Sequence, residues 1–262
     1  MLLNLDAGER DDEPEELWAL ADILAVACGG HAGDAASMNR LAAFAAKSPH
    51  RTSFGAHPSY PDREGFGRRT IEIEPSELQR AIEKQCAALA AAAHAHGIDV
   101  FYVKPHGALY HDAAKSLLLA NAIIDGAIAG LCGDAPDEDE DDGVLAGSAV
   151  DDGALGARSA ESQWEASRTK LSFIGPPTGC LADAVQIRGL RYLREGFADR
   201  NVQEDGTLVP RTEPNALIKD PEAAVARARE LFGHVDTICV HGDSPGALEI
   251  ARAVRTALGR VP

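Results

Sequence analysis

The sequence predicts an α/β fold built around a parallel β-sheet. Short apolar runs recur along the chain, and most of them end close to a glycine, a proline or a histidine. Strands buried on both faces look like this, and strands that alternate with helices form parallel sheets. The pattern favours a closed TIM-type barrel, regular or irregular with seven strands, over an open doubly wound sheet. The seven candidate strands are 2–5, 24–28, 52–56, 100–103, 171–174, 190–193 and 237–240.

Helix start and stop signals lie between these strands. They comprise polar N-cap residues, a capping box, prolines at the first helical position and glycines after the last turn. The predicted helices run from Asp34 to Ser48, from Ser76 with Gln79 to Gly97, from Asp112 to about Leu131, from Asp220–Pro221 to Gly233, and from Ser244–Pro245 to Gly259.

Length alone allows one or two domains, and the barrel interpretation predicts a single barrel domain over 1–262. Residues 133–170 interrupt the pattern with an acidic run and small polar residues, which predicts a disordered surface insertion. Calcium binding there is the alternative, but the liganding positions and turn glycine of an EF-hand loop are absent. The net charge of −16 argues against nucleic-acid binding. The lack of a long apolar run or a signal peptide, and five scattered cysteines, predict a reduced cytoplasmic protein without a membrane span.

Four of the nine histidines lie just after a predicted strand or at its end: His31, His57, His106 and His241. A single histidine at such a place is most simply a hydrogen-bonded turn residue. Four of them at equivalent places of a repeating βα unit instead indicate one site, because ligands bind at the carboxyl ends of the strands. Histidine carries protons near neutral pH and is a common metal ligand.

Charged residues at the same strand ends extend this site. Asp6 and Glu9 flank a glycine after the first strand, and they suit a general base, a metal ligand or a substrate clamp. Lys104 could bind an anion or stabilise developing negative charge, whereas Arg200 and Arg211 are candidate carboxylate or phosphate clamps. The P-loop GxxxxGK[ST], the dinucleotide motif GxGxxG and the zinc motif HExxH are all absent from the sequence. The residues therefore indicate acid–base or metal-assisted hydrolysis of a small polar substrate.

Long strings of this sequence resemble the LamB/YcsF family. The resemblance covers about 2–131 and 171–258 and is carried by the segments NLDAGE, ACGGHAGD, GAHPSYPDREGFGR, VKPHGALYH, EGFADR with DGTLVPR, and VHGDSPGAL. It implies an irregular (β/α) barrel of the glycoside hydrolase/deacetylase type. It also implies an activity, the ATP-dependent opening of 5-oxo-L-proline to L-glutamate by a 5-oxoprolinase, in which the family member is the A component and works with partner subunits B and C.

The resemblance and the residues together give a set of expected site residues. We expect the catalytic residues to be Asp6, Glu9, His57, Lys104 and His106. Substrate binding is assigned to His31, Arg63, Arg200, His241 and Asp243. ATP is the expected co-substrate, and a divalent metal, if present, is expected on Asp6, His57 and His106.

Two other functions are compatible with the same residues. One is a metal-dependent hydrolase or deacetylase that acts alone, for which a tightly held ion would be the distinguishing observation. The other is a non-catalytic protein that binds a carboxylated small molecule without turning it over.

Overall fold

In a computed structural model, which describes residues 1–48, 52–133, 160–203 and 207–259, seven parallel strands close into a barrel. Neighbours in the barrel follow the order of the chain, and β7 pairs with β1 to complete the ring. The predicted seven-stranded barrel is therefore confirmed. The strands are β1 (Leu2–Ala7), β2 (Ile23–Ala27), β3 (Ser53–His57), β4 (Val100–Val103), β5 (Ser172–Gly175), β6 (Arg191–Phe197) and β7 (Thr237–His241).

Helices surround the barrel and follow the strands. Those of the described residues are α1 (Glu15–Trp18), α2 (Ala35–Lys47), α3 (Pro75–Ala95), α4 (Gly107–Lys115), α5 (Leu117–Cys132), α6 (Ala160–Arg168), α7 (Cys180–Ile187), α8 (Pro221–Glu230) and α9 (Ala247–Ala257). The predicted caps of α2 and α8 are confirmed. Asp34 and Asp220 accept hydrogen bonds from backbone N–H groups of the first turns, at 2.8 and 3.1 Å.

Three predicted helix starts were wrong. The N-cap of α3 is Glu74, without a side-chain cap bond, and Ser76 lies inside the helix after Pro75. Asp112 lies within α4, and the next helix begins after a Ser116 cap. Ser244 does not cap α9, because its hydroxyl donates instead to a buried aspartate of the site. Pro75 begins α3 before Ser76, the Ser116 hydroxyl caps α5 in place of Asp112, and a tertiary hydrogen bond occupies Ser244.

The core between barrel and helices is apolar, and it is tightest where α3 and α5 cross. Two glycines on α5 allow this approach. A methyl group added at Gly126 would collide with the Gln79 carbonyl oxygen, and one at Gly130 would collide with the Glu83 carbonyl oxygen. Any larger side chain at either position would push the two helices apart.

The inside of the barrel has an apolar end and a polar end. Ile23, Ile174 and Leu193 form a small buried cluster of their own, separate from the main core. Since side chains alternate along a strand, the same inward rows continue towards the carboxyl ends of the strands with polar residues such as Asn4, Asp6 and Glu195. The buried polar side chains of the barrel therefore lie at the carboxyl ends of the strands.

The predicted insertion at 133–170 is described only at its ends. Its residues 134–159 lie outside the described part of the chain, and from Ala160 the chain forms α6. Among the described residues, no helix combines the length and the apolar character needed to cross a membrane.

Candidate active site

A cavity of about 390 Å³ opens at the carboxyl ends of the strands. On one side it is lined by side chains from β1, β3 and the turn after β4, and on the other by β6, β7 and the long loop after β6. The charged and titratable residues that line it are Asp6, His57, Arg68, Lys104, His106, Tyr110, His111, Arg200, Arg211 and His241.

Lys104 lies at the base of the cavity with its ammonium group enclosed by protein acceptors. Its Nζ is 2.6 Å from Asp6 Oδ1, 2.9 Å from Glu195 Oε1 and 3.0 Å from Asn4 Oδ1. An ammonium group has three N–H bonds, and Asn4, Asp6 and Cys239, whose Sγ lies 3.1 Å from Nζ, can accept all of them. Lys104 therefore neutralises buried carboxylates and has no N–H left for a substrate anion, unlike the anion-binding role expected for it.

Asp6 and Lys104 stabilise each other's charged state. Burial alone would raise the pKa of Asp6, but His57 and Lys104 outweigh it and hold that pKa well below its usual range. Burial alone would lower the pKa of Lys104, but Asp6 and the neighbouring acidic groups raise it well above its ordinary value. The charged states of both groups are thus mutually dependent.

Glu9 and three histidines form a second buried group beside the first. Glu9 Oε1 is 3.0 Å from His31 Nε2, 3.1 Å from His106 Nδ1 and 3.8 Å from His57 Nε2. The rings of His31 and His106 stack with centroids 3.6 Å apart. Burial lowers the pKa of His31 to about 3 and also lowers the pKa of His106. Burial would raise the pKa of Glu9, but hydrogen bonds from His106 and His31 hold it well below normal.

Glu13 fixes the turn that carries Glu9. Its carboxylate accepts hydrogen bonds from the backbone N–H groups of Gly8, Glu9 and Arg10 at 2.8, 2.9 and 3.1 Å. The indole of Trp18 donates to it as well, at 3.0 Å. One buried carboxylate thereby satisfies four donors and holds the loop after β1 in place.

An unusual backbone conformation supports His106. Phe66 has φ of 55°, and among the described residues it is the one non-glycine with positive φ. Its carbonyl oxygen lies 3.0 Å from His106 Nε2. A bulky residue in this region is strained, and such strain is typically concentrated at functional sites. The adjacent Gly67 is required, because a methyl group there would lie 3.0 to 3.2 Å from His31, His106 and Ser59.

His241, at the end of β7, is oriented by Asp199. The buried Asp199 carboxylate lies 3.0 Å from His241 Nδ1 and also accepts from the His241 backbone N–H and the Ser244 hydroxyl. The other ring nitrogen, Nε2, faces Asp6 Oδ2 at 3.8 Å. Burial would lower the pKa of His241, but Asp199 outweighs it and raises the pKa above its ordinary value.

Three arginines form the outer wall of the cavity. Arg211 makes a two-point ion pair with Asp243 at 3.0 Å, and Arg68 binds the same carboxylate at 2.6 Å. Arg200 is buried and donates to the Val209 and Ala216 carbonyl oxygens at 2.6 and 3.3 Å. Burial, followed by the nearby Arg211, lowers the pKa of Arg200 to about 10. Asp243 pairs with two of the three guanidinium groups, and Arg200 forms no salt bridge with a carboxylate among the described residues.

The structure brings most of the expected site residues together. Asp6, His57, Lys104, His106, Arg200 and His241 line the cavity, and Glu9 and His31 lie directly behind His57 and His106. Arg63 lies elsewhere, because its guanidinium donates to the Gly29 and Gly33 carbonyl oxygens at 3.2 and 2.8 Å. Asp243 is a tether for two arginines and does not itself line the cavity.

Several residues of the site were not among those expected: Glu13, Arg68, Glu195, Asp199 and Cys239. Glu195 carried a usable signal, since it is a charge two residues beyond the predicted end of an apolar strand. The strand in fact continues to Phe197, and this turns Glu195 into the barrel. Asp199 and Arg68 lie inside the segments EGFADR and EGFGR that were already singled out.

The described residues include two groups that could hold a metal ion. One consists of Glu9, His31, His57 and His106, and the other of Asp6, Cys239 and His241. In each group, one ligand atom per residue lies within 4.8 Å of all the others. The expected set of Asp6, His57 and His106 is thus divided between the two groups.

Fold and site define a class of protein, a seven-stranded parallel (β/α) barrel with a buried histidine–carboxylate site at the carboxyl ends of its strands. The chain belongs to the LamB/YcsF family, whose model matches residues 2–131 and 141–261.

Relatives of the chain extend over nearly its whole length. It is 38% identical to the A subunit of 5-oxoprolinase from Streptomyces avermitilis, over 98% of this chain and 94% of that protein. It is 35% identical to the protein of the same name from Symbiobacterium thermophilum, over 98% and 90%. A crystal structure of a lactam utilization protein from Thermus thermophilus superposes with a TM-score of 0.75 and 29% identity, covering 99% of this chain and 96% of that one.

Proposed function

We propose that this chain is the A subunit of an ATP-dependent 5-oxoprolinase, which opens 5-oxo-L-proline to L-glutamate in the cytoplasm together with subunits B and C. The observation that carries the proposal is its full-length similarity to several proteins named as the A subunit of 5-oxoprolinase. The chemistry of the cavity supports it independently, because an anionic lactam needs both a cationic wall and groups that move protons.

The arginine wall suits the carboxylate of 5-oxoproline or a phosphate. Arg200 and Arg211 lie on the cavity with Arg68, and Asp243 is the acidic partner that Arg68 and Arg211 share. Planar guanidinium groups bind carboxylates and phosphates through paired hydrogen bonds. In this proposal the wall binds the anionic end of the substrate, and the lactam ring points towards Asp6 and His241.

His241 and Asp6 are the proposed proton carriers. Asp199 takes the Nδ1 side of His241, which leaves Nε2 free to face Asp6 and the cavity. A histidine oriented by a buried carboxylate is a common arrangement for general acid–base catalysis. Opening a lactam requires an attacking water to lose a proton and the ring nitrogen to gain one, which are the steps such a pair can serve.

ATP would supply the activation that a stable amide needs. Transfer of its terminal phosphoryl group to the lactam oxygen, with release of ADP, makes the ring carbon open to attack by water. The C–N bond then breaks as the nitrogen gains a proton, and inorganic phosphate leaves to give glutamate. The sequence contains neither a P-loop nor another glycine-rich nucleotide motif. Our proposal therefore leaves ATP binding to the assembled complex, in which the arginine wall could meet a phosphate.

The test is reconstitution of the purified chain with subunits B and C, followed by measurement of glutamate formed from 5-oxoproline. We expect glutamate to form with ATP and all three proteins, and ADP to appear in step with it. Omission of ATP or of any one protein should remove the signal. If the complete mixture with ATP yields no glutamate while a characterised complex does so in parallel, the proposal is wrong.

A second function is favoured by one specific observation, the group of Glu9 and three histidines. Such a group could support a metal-dependent hydrolase or deacetylase that acts without partners. Hydrolysis of N-acetyl sugars or simple lactams by the isolated chain, independent of ATP, would decide for this alternative.

A further inference from the structure

The group of Glu9, His31, His57 and His106 has an arrangement of ring nitrogens that hydrogen bonds alone do not explain. His57 Nε2 and His106 Nδ1 lie 3.0 Å apart, and Glu9 Oε1 lies 3.1 Å from the second and 3.8 Å from the first. All of these side chains are buried. The question is which of the three atoms carries a hydrogen.

Two backbone carbonyl groups determine which ring nitrogens of His57 and His106 carry a hydrogen. His57 Nδ1 is 2.7 Å from the Lys104 carbonyl oxygen, and His106 Nε2 is 3.0 Å from the Phe66 carbonyl oxygen. A carbonyl oxygen can only accept, so each of these nitrogens bears the hydrogen. In its neutral form an imidazole has a single N–H, so His57 Nε2 and His106 Nδ1 are then lone pairs that face each other and Glu9 Oε1. His57 Nε2 also lies 3.4 Å from Asp6 Oδ2.

Three electron-rich atoms in this position repel one another unless a cation lies between them. Histidines that bind metals typically donate their other N–H to a backbone carbonyl or a carboxylate, which fixes the ring in the way seen for His57 and His106. His31 adds a fourth atom, with Nε2 at 3.0 Å from Glu9 Oε1. Its Nδ1 and the second oxygen of Glu9 are buried atoms without a hydrogen-bond partner among the described residues.

We infer that Glu9, His31, His57 and His106 bind one divalent transition-metal ion through three imidazole nitrogens and one carboxylate oxygen. This donor set suits zinc and its first-row neighbours, whereas magnesium and calcium prefer oxygen ligands. A tetrahedral zinc site with bonds of about 2.0–2.1 Å separates its ligand atoms by roughly 3.4 Å. The three separations from Glu9 Oε1 and the one between His57 and His106 run from 3.0 to 3.8 Å, around that distance, and all four ligand atoms lie within 4.8 Å of one another.

The neighbouring group of Asp6, Cys239 and His241 does not have this character. The Lys104 ammonium already lies 2.6 Å from Asp6 Oδ1 and 3.1 Å from Cys239 Sγ. A second cation at that point would be repelled by the first. The metal therefore belongs on the Glu9 side, and Asp6 stays outside its ligand set.

The ion would reach the cavity through His57 and His106, which line it, while Glu9 and His31 lie behind. An ion there can polarise a carbonyl group or acidify a water molecule. The inference goes beyond the proposed function and does not depend on it, because it stands on tautomers and distances. It holds whether the substrate is 5-oxoproline or another amide.

The experiment measures metal binding by the full-length chain. The protein is stripped with a chelator, incubated with Zn²⁺ or Co²⁺, dialysed and analysed for metal content and visible absorption. We expect about one ion per chain, a Co²⁺ spectrum of four-coordinate nitrogen and oxygen ligands, and a higher melting temperature in Zn²⁺ than in chelator. Glu9→Gln and His106→Gln should bind Zn²⁺ at least about 100-fold more weakly.

His94→Gln is the matched control, because His94 is exposed in the last turn of α3, before β4, whereas the group lies at the carboxyl ends of the strands, and it should bind Zn²⁺ like the wild type. If a variant fails to fold, the Co²⁺ spectrum of the wild type and its change in melting temperature between Zn²⁺ and chelator still test whether the metal binds. Metal below about 0.1 ion per chain, a thiolate charge-transfer band that points to cysteine, or full binding by folded Glu9→Gln would each overturn the inference.

Discussion

The loops after β1 to β4 and those after β6 and β7 both face the cavity, yet they hold their charges differently. On the first side, Glu9 and its three histidines are buried. Hydrogen bonds from the backbone to Glu13 fix the turn after β1, and two backbone carbonyl oxygens fix the rings of His57 and His106. On the second side, Arg68 and Arg211 share Asp243, Arg200 is held by backbone carbonyl oxygens, and all three line the cavity. In our proposals, the first side holds a metal ion permanently, and the second binds and releases an anion.

Asp6 lies between the two sides, and its loss should have the largest effect. Asp6→Asn removes the charge that Lys104, His57 and His241 all face, so we expect turnover by the reconstituted complex to fall about 1000-fold. Glutamate release is the measurement. Asp11→Asn, at an exposed position of the same loop, should leave turnover unchanged. Near-normal turnover of a folded Asp6→Asn complex would contradict a central role for Asp6.

The open side is tested through its arginines. Arg200→Gln and Arg211→Gln each remove a guanidinium group from the cavity wall, so KM for 5-oxoproline should rise about 10- to 100-fold with a smaller change in kcat. Arg252→Gln on the exposed face of α9 serves as the control. A fall in kcat with KM unchanged would show that the wall does not bind the ground-state substrate.

The closed side is tested through its anchor. Glu13→Ala leaves three backbone N–H groups and an indole without their acceptor, and each buried donor that loses its partner costs about 1–3 kcal/mol. Because water can enter the gap, we expect a loss of about 2–3 kcal/mol in the free energy of unfolding. Urea denaturation provides the measurement. Unchanged stability would mean that the loop after β1 does not depend on Glu13.

The smallest expected effect is a shift in titration at His241. Asp199 raises its pKa, so the imidazolium persists above its ordinary range, and its stabilising contribution, fully present below pH 6.5, is lost as pH rises through the raised pKa. Asp199→Asn should lower the pKa of His241, so the ring loses its proton at a lower pH. The measurement is NMR titration of the His241 ring protons in the wild type and in Asp199→Asn. The same titration midpoint in both proteins would contradict this role of Asp199.

The sequence was most informative where chemistry repeats with the fold. Four histidines at four strand ends predicted the position of the site, because a parallel barrel brings all of its carboxyl ends together. Side-chain direction was less accessible. Arg63 has the same local setting as a ligand-binding arginine, yet its guanidinium turns to the carbonyls of Gly29 and Gly33. That choice depends on where the loop after β2 lies, which no local pattern encodes.

Exact strand length had the greatest consequence among the missed features. Ending β6 at Leu193 left Glu195 in a loop, whereas the strand continues four residues further, to Phe197, and places Glu195 against Lys104. Likewise, Asp199 resembles one more polar loop residue until β7 brings His241 to it. Pairings between residues 42 or 91 positions apart become visible only when the barrel is closed.

The pairing of β7 with β1 has a consequence for how the chain must fold. Asn4 finds its partner in Thr237, 233 residues away, and Asp6 lies opposite His241 across the same seam. During synthesis, β1 emerges long before β7. Until β7 is made, the polar side chains of β1 lack their partners on β7, and the edge of β1 that pairs with β7 has no neighbouring strand. The last strand to be synthesised is therefore the one that seals the ring, and a nascent chain that stops short of it would be a substrate for chaperones and proteases.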